Sequence, residues 1–387
     1  MTKHINHHSR WRIWGFILLQ IGIVILAMAV GFFGHHLYLN IAGEFSLLRE
    51  AQQVVVENAI IEIPDERTME YGMIRGMLKT FNDPYTYFVE PASHEVQTNQ
   101  LTGSYGGIGL RLEQDSQMNW RVYPLPDSPA QKAGIQNGDI LLQVGDLQVN
   151  TNVDEVTIIA SLRGRVGRVV SVTLLREGQS LTYTIERQTL TLPSVTYNLL
   201  VQDQHIGLLQ VNRIAETTAD EIQTGIEDLS NKGADVFILD LRNNGGGLVE
   251  EGIEVVRLFV REGEIIRRQF KDQEIEIFEI ENPSTYPKLP IAVLINGNTA
   301  SAAEIISGAL KDHDRAPLIG QNTFGKTAIQ YVFDLQDGSS VHVTSGRWWI
   351  PGVVFPLEPD IPVSEGTPDS EIYLIAKDAL KEITNNP

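Results

Sequence analysis

The chain contains no cysteine in 387 residues, which excludes disulfides and thiolate metal sites at the outset. That absence is compatible with an oxidising compartment without establishing one. Basic residues are scarce: 30 Lys and Arg stand against 49 Asp and Glu, for a formal net charge of −19. Phosphate backbones demand clustered cations, so nucleic acid is not an expected partner. The acidic surface otherwise favours solubility. The nine histidines form no cluster at metal-ligand spacing, and the His7-His8 pair lies in a tail that reads as unstructured. Long apolar runs are rare as well, and the one long run present is informative.

That run is "IWGFILLQIGIVILAMAVGFF", residues 13–33, with Gln20 its only strongly polar residue. As a helix it would span about 31 Å, enough for the hydrocarbon core of a bilayer. Lys3, Arg10 and Arg12 precede it, so the excess of positive charge leaves the short tail in the cytoplasm and the bulk of the chain outside. Ala27-Met28-Ala29 resembles a signal-peptide cleavage site, but the apolar run continues past it through Phe33. The expectation is an uncleaved anchor over 13–34 behind a cytoplasmic tail, 1–12, with the bulk of the chain in the periplasm or at the cell exterior.

After the anchor, residues 35–95 read as a helical region. Apolar residues at helical spacing mark helices over 43–60 and 65–81, the second starting at Pro64-Asp65. The pair is long enough to pack on the main body or on a second copy. Residues 96–188 make a separate unit of short strands with two helices. It holds "GSYGGIGLRLE" (103–113), a glycine-rich turn running into a strand; "SPAQKAGIQNGDILLQVG" (128–145); an amphipathic helix over 153–162; and a hairpin over 169–187 turning at Glu177-Gly178. This stretch resembles PDZ domains. The resemblance implies that Gly106, Gly107, Ile108 and Gly109 form a carboxylate-binding loop, and that a peptide C-terminus adds as a strand beside the one starting near Ile108. From 189 to 387, buried apolar strands such as "DVFILDL" (235–241) and "PIAVLIN" (290–296) alternate with amphipathic helices. That alternation predicts an α/β unit with a mainly parallel sheet.

Residues 320–327, "GQNTFGKT", fit the phosphate-loop pattern G-x-x-x-x-G-K-[ST]. Such a loop must lead from a strand into a helix, whose N-terminus holds the anion. The stretch after Lys326 is instead "TAIQYVFDLQDGSSVHVTSGRWWI", with period-two alternation and an Asp337-Gly338 turn, hence a β-hairpin. "VFILD" (236–240) imitates a magnesium-binding strand but lies upstream of Lys326 rather than downstream. A nucleotide hydrolase and a catalytically idle PDZ scaffold are the two rival readings.

Twenty-five residues before Lys326, "GNTASAAEI" places Ser301 at a strand-to-helix turn. Ser301 followed by Glu304 also fits a capping box, the commonest use of a serine there. A helix N-terminus equally suits a nucleophile, because it stabilises developing negative charge. Together, "DPYTYF", the PDZ-like unit, "LDLRNNGGG", "TASAAEI" and "GQNTFGKTAIQ" resemble, in order, the carboxy-terminal processing peptidases, serine proteases with a Ser/Lys dyad.

The resemblance implies an α/β core of crotonase/Clp-like type, an acyl-enzyme mechanism, and no metal or other cofactor. It makes Ser301 the nucleophile and Lys326 its base, with Gln330 orienting the lysine. An ordinary lysine, at a pKa of about 10.4, is neutral in roughly one molecule in 2,500 at pH 7, so burial has to lower it. The oxyanion donors would be the N–H of Ala302 and one from Gly246 or Gly247; Gly245 departs from the family, where proline is common. Partners implied are unfolded or C-terminally exposed protein substrates, with a homodimer and an activating partner protein as further candidates. Arg163, in "LRGRVG", is a candidate for coupling peptide binding to a gate, against the plainer reading of a surface arginine. His313 falls about 18 Å along the helix from Ser301, too far for proton transfer. His205 and His342, without a motif around them, read as structural. The segment 347–363 is shorter and more aromatic than usual in the family, so substrate specificity is not carried over.

Overall fold

The computed structural model describes residues 45–281 and 284–385. The expected cytoplasmic tail, the anchor over 13–34 and the first ten residues of the helical region lie outside them. Among the described residues no helix is long and apolar enough to cross a membrane. The chain divides into two compact units at Glu70/Tyr71. In the first, a helix spans Ser46–Asn58 and buries none of its residues. A second helix, Glu66–Lys79, begins where Asp65 accepts the Thr68 N–H at 3.0 Å, close to the boundary that the sequence suggests.

In the larger unit, the PDZ fold is a sheet of six strands, five of them in the order Leu110–Gln114, Trp120–Pro124, Asp139–Val144, Val169–Arg176 and Gln179–Glu186, with the short Leu147–Gln148 paired to Asp139–Val144. Val122, Leu141, Ile158, Val172 and Leu174 fill its core. The helix Glu155–Leu162 starts at Asp154, whose carboxylate accepts the Thr157 N–H at 2.8 Å. The glycine-rich segment differs from expectation. Ser104–Gly107 is itself a strand, paired antiparallel with Gln188–Thr191, and the strand expected near Ile108 begins only at Leu110. The pairing closes the domain by joining its first residues to its last.

The peptidase core is a six-stranded sheet in the order Val195–Leu200, Asp203–Val211, Val236–Asp240, Ile291–Ile295, Leu318–Gly320, Ile361–Pro362. Every neighbouring pair is parallel except the first. The strands read as continuous apolar runs because both faces are covered. Leu209, Phe237, Leu239, Val293 and Ile295 point to helices Thr218–Asn231, Val249–Phe259 and Ala302–Asp312. Leu208, Ile238, Ala292 and Leu294 point to the C-terminal helix Asp369–Asn385.

A second, antiparallel sheet joins Ala328–Asp334 and Ser340–Trp349 as the expected hairpin, with Gly338 at positive φ in its turn. Tyr87–Val89 and the hairpin of Glu264–Phe270 with Glu276–Glu279 complete that sheet. Lys326 therefore leads into a strand, which leaves the phosphate-loop pattern without its helix.

Candidate active site

Ser301 sits between strand Ile291–Ile295 and helix Ala302–Asp312 with φ 54° and ψ −121°. A residue with a Cβ rarely holds this conformation, and such strain persists only where the surroundings over-determine it. They do so here from three sides. Thr299 Oγ1 donates to the Leu241 carbonyl at 2.9 Å, Ala300 N–H donates to the Asn244 carbonyl at 2.9 Å, and Phe324 N–H donates to the Thr299 carbonyl at 2.9 Å. The turn points the serine at the start of a helix while leaving it only 9% exposed.

Glu304, one turn into that helix, does more than cap it. Its carboxylate, fully buried, accepts Ser301 N–H at 2.9 Å, Thr323 Oγ1–H at 2.6 Å, Gly325 N–H at 2.7 Å and Lys326 N–H at 2.8 Å. One side chain thus fixes the backbone of both Ser301 and Lys326. The capping box is visible in the sequence, but the second half of this role is not, because the lysine loop is distant along the chain.

The glycine loop lies directly against the serine turn. A Cβ on Gly246 would fall 2.8 Å from Ser301 Cβ and 3.1 Å from Ala302 N, and one on Gly247 would fall 1.9 Å from the Ile214 carbonyl oxygen. Both have positive φ, so glycine is required on two counts. Gly246 N–H is held by Asn244 Oδ1 at 2.9 Å, while Asn244 Nδ2 donates to the Val211 carbonyl at 2.8 Å. Gly246 therefore supplies space, and its donor already has a partner. Asn244, fully buried, does not stand out in the sequence; its role is to shape backbone and carries no motif signal of its own.

Lys326 donates through Nζ to Gln330 Oε1 at 2.5 Å, and Gln330 Nε2 donates to the Tyr85 carbonyl at 2.6 Å. Burial pushes the Lys326 ammonium below its ordinary pKa. The Tyr85 ring, 5.0 Å from Nζ, supports the charged form instead. In the sequence "DPYTYF" carries only its part of the family resemblance, whereas folding brings Tyr85 to the lysine and Tyr87 into the same cavity.

Ser301, Lys326, Gln330 and Gly245 to Gly247 line one cavity of about 530 Å³. His342 also lines it, stacked on Tyr87 at 4.7 Å, and burial and then the charges of His94 and Lys326 hold its imidazole below the usual pKa. His205 lies elsewhere, beside Asp235 and Lys377. His313 caps the far end of the serine helix, with Nε2 2.9 Å from the Glu264 carbonyl oxygen. Asp240, the imitation of a metal ligand, is taken up by Arg242 at 2.6 and 2.9 Å.

In the PDZ unit, Gly106 and Gly107 pair with Thr189 and Gln188, so of the four residues expected to form a loop only Ile108-Gly109 lie outside strands. Ile108 is 1% exposed and anchors that loop in the core, and its carbonyl accepts Ala130 N–H at 2.8 Å. The adjoining strand Leu110–Gln114 is an edge strand, paired only with Trp120–Pro124 among the described strands. Arg163 is not a surface arginine. Its guanidinium lies 4.1 Å from the centre of the Tyr105 ring, its Nη1 is buried without a hydrogen bond, and burial lowers its pKa against the opposing charge of Glu95. Glu95 belongs to the helix Pro91–Thr102, which packs on the PDZ helix Glu155–Leu162. The neighbouring His94 reaches the catalytic sheet, with Nδ1 2.9 Å from Ser340 Oγ and Nε2 3.0 Å from Asp334 Oδ1.

The model for peptidase family S41 matches residues 205–363, and a PDZ domain model matches residues 121–176. The carboxyl-terminal-processing protease of Synechocystis sp. is 33% identical over 292 residues, covering 74% of this chain and 68% of the relative. Carboxy-terminal processing protease CtpA of Bacillus subtilis is 34% identical over 308 residues, covering 79% of this chain; the chain spans 65% of that relative's length. Among solved structures, a photosystem II D1 C-terminal processing protease is 30% identical, with 88% of this chain and 93% of that one covered at a TM-score of 0.47. With its serine turn, glycine loop and PDZ unit in family order, this chain belongs to the carboxy-terminal processing peptidases of family S41.

Proposed function

We propose that the protein is a membrane-anchored, extracytoplasmic serine endopeptidase that takes hold of exposed C-termini through its PDZ domain and cleaves the chain by a Ser301/Lys326 dyad. The observation that carries this reading is a strained serine at a helix N-terminus sharing a cavity with a lysine whose pKa burial has lowered. Neutral Lys326 Nζ takes the proton as Ser301 Oγ attacks the peptide carbonyl. The tetrahedral oxyanion forms beside the N–H groups of Ala302 and Gly247, the latter chosen because the Gly246 donor is already engaged. Lys326 then returns its proton to the leaving amine, leaving an acyl ester on Ser301. Water, deprotonated by the same lysine, hydrolyses that ester and regenerates the hydroxyl. Gln330 holds Nζ in place through the Tyr85 carbonyl.

Docking of a C-terminus would use the Ile108-Gly109 loop and the open edge of Leu110–Gln114. Arg163, Glu95 and His94 form a physical route from that domain to the catalytic sheet, which supports a gate operated by PDZ movement. The anchor rests on the apolar run 13–33 and the basic residues before it. A homodimer and an activating partner remain proposals resting on the family resemblance.

The test uses an unfolded reporter ending in apolar residues, with a free or an amidated C-terminus. The parent cleaves the free-ended reporter faster than the amidated one, and Ser301→Ala binds both without cleaving either. Equal cleavage by Ser301→Ala would remove the proposed nucleophile, and indifference to amidation would remove the docking role.

A further inference from the structure

The sheet that carries Gln330 presents an aromatic row that the Ser301/Lys326 chemistry leaves unused. Phe270 stacks on Tyr331 with ring centres 4.8 Å apart and planes inclined by 13°, and Tyr331 meets Phe333 edge-on at 6.3 Å. The Arg268 guanidinium lies 5.2 Å from the Phe270 ring centre, fixed by Glu250 at 2.5 Å and Glu276 at 2.8 Å. Gly346, in register between Phe270 and Ile329, makes the stacking possible, since a Cβ there would fall 2.7 Å from the Phe270 ring.

Two of the rings are left in water, Tyr331 44% and Phe333 51% exposed, while Phe270 packs against the core. The row is also continuous with the catalytic cavity, because Phe270 and Tyr331 line it together with Ser301 and Lys326. Among the described strands, Ala328–Asp334 pairs only with Ser340–Trp349, so its other edge keeps backbone N–H and C=O groups open. An extended peptide matches both features. Its backbone can pair with that edge, and its alternate side chains, roughly 6.6 Å apart, match the 6.3 Å between Tyr331 and Phe333 along the strand, with Phe270 backing Tyr331.

We infer that Phe270, Tyr331 and Phe333 are a specificity track along which the extended substrate lays large apolar or aromatic side chains beside the scissile bond. The inference rests on the protease reading of the same cavity and names the side chains that cavity selects. It is separate from capture of a C-terminus by the PDZ loop, because a track on the catalytic sheet reads residues within the chain.

The test uses two peptides, both amidated to remove the C-terminal carboxylate. One carries Phe and Leu at alternate positions, and the other carries Ser and Thr there. Binding to full-length Ser301→Ala protein is followed by fluorescence anisotropy, and cleavage by the parent gives KM and kcat separately. The apolar peptide binds about tenfold more tightly, as removal from water of one or two large side chains predicts. Tyr331→Ser erases that preference and Tyr331→Phe keeps it, and in turnover the loss falls on KM rather than kcat. An unchanged preference in Tyr331→Ser would overturn the inference, as would an equal loss for both peptides, which marks a folding role. Concentration-dependent self-association abolished by the same substitution would make the row an interface between copies instead. If neither peptide is cleaved while the binding preference persists, the track stands and the protease reading falls.

Discussion

Lys326 is held between influences that pull in opposite directions. Burial lowers its pKa, while the Tyr85 ring at 5.0 Å favours the cation. The net direction is downward, and the base must be neutral to act, so kcat/KM should rise with pH through that lowered pKa and level off above it. A pH–rate profile checks this; a rise starting only near pH 10 would mean that the lysine is unperturbed. The same group makes a stability prediction. Below its lowered folded pKa the protein carries a buried ammonium at a cost, and this cost disappears as pH rises through the folded and then the unfolded pKa. Lys326→Met should therefore raise Tm at neutral pH, while removing general-base catalysis worth about 10²- to 10⁴-fold in rate. Thermal melts at pH 7 and pH 11 should show the gain shrinking at the higher pH. At this scale the meeting of Ser301, Lys326 and Gln330 in one cavity was legible because the motifs around them resemble those of the family. Asn244 and Tyr85 were not, since they act through backbone hydrogen bonds and a ring contact that only folding creates.

Glu304 joins the helix Ala302–Asp312 to the loop preceding the strand Ala328–Asp334. Its four acceptor contacts all come from donors, so Glu304→Gln would turn an amide N–H₂ towards donors already in place. Leaving such groups unsatisfied in a buried site costs about 2–4 kcal/mol. Urea denaturation should show a lower midpoint, and cleavage should fall by at least tenfold because both backbones lose their common anchor. A variant of parental stability and activity would make Glu304 an ordinary cap. The elements themselves were largely visible in the sequence. The parallel strands are apolar throughout because both faces are covered, and the hairpin after Lys326 alternates and turns at Asp337-Gly338. The hairpin over Glu264–Glu279 and the helix Asp369–Asn385 were not legible in this way. The hairpin strands mix charged and apolar residues, since Arg267 and Arg268 pair with acids on a partly open sheet. Ser104–Gly107 read as a turn because its glycines carry no strand signal; its partner over Gln188–Thr191 decides its state.

At the scale of the whole molecule, the proposed sites of peptide capture and of cleavage lie on different sheets, linked by the helix Pro91–Thr102. Arg213 strengthens that link, with Nε donating to the Gln100 carbonyl at 2.9 Å and Nη2 to the Pro193 carbonyl at 3.0 Å. The anchor proposal also belongs to this scale. A chain lacking residues 1–34 should leave the membrane fraction for the soluble one, whereas the full chain should resist alkaline extraction. Full-length protein in the soluble fraction would contradict an uncleaved span. That a PDZ unit precedes the peptidase core was legible from the sequence, but the contacts of helix Pro91–Thr102 that link them were not, because His94 meets Ser340 and Arg213 meets Gln100 only once the chain is folded. The central claim is that Ser301 becomes acylated with Lys326 as its base, and its most direct measurement is the intact mass of the protein incubated with an activated peptide ester, whose acyl-enzyme hydrolyses slowly. The account predicts a mass gain equal to the acyl group on the parent, mapped to the peptide containing Ser301, a much slower gain on Lys326→Ala and none on Ser301→Ala. The same gain on Ser301→Ala, or hydrolysis by the parent with no adduct at any time, would contradict it.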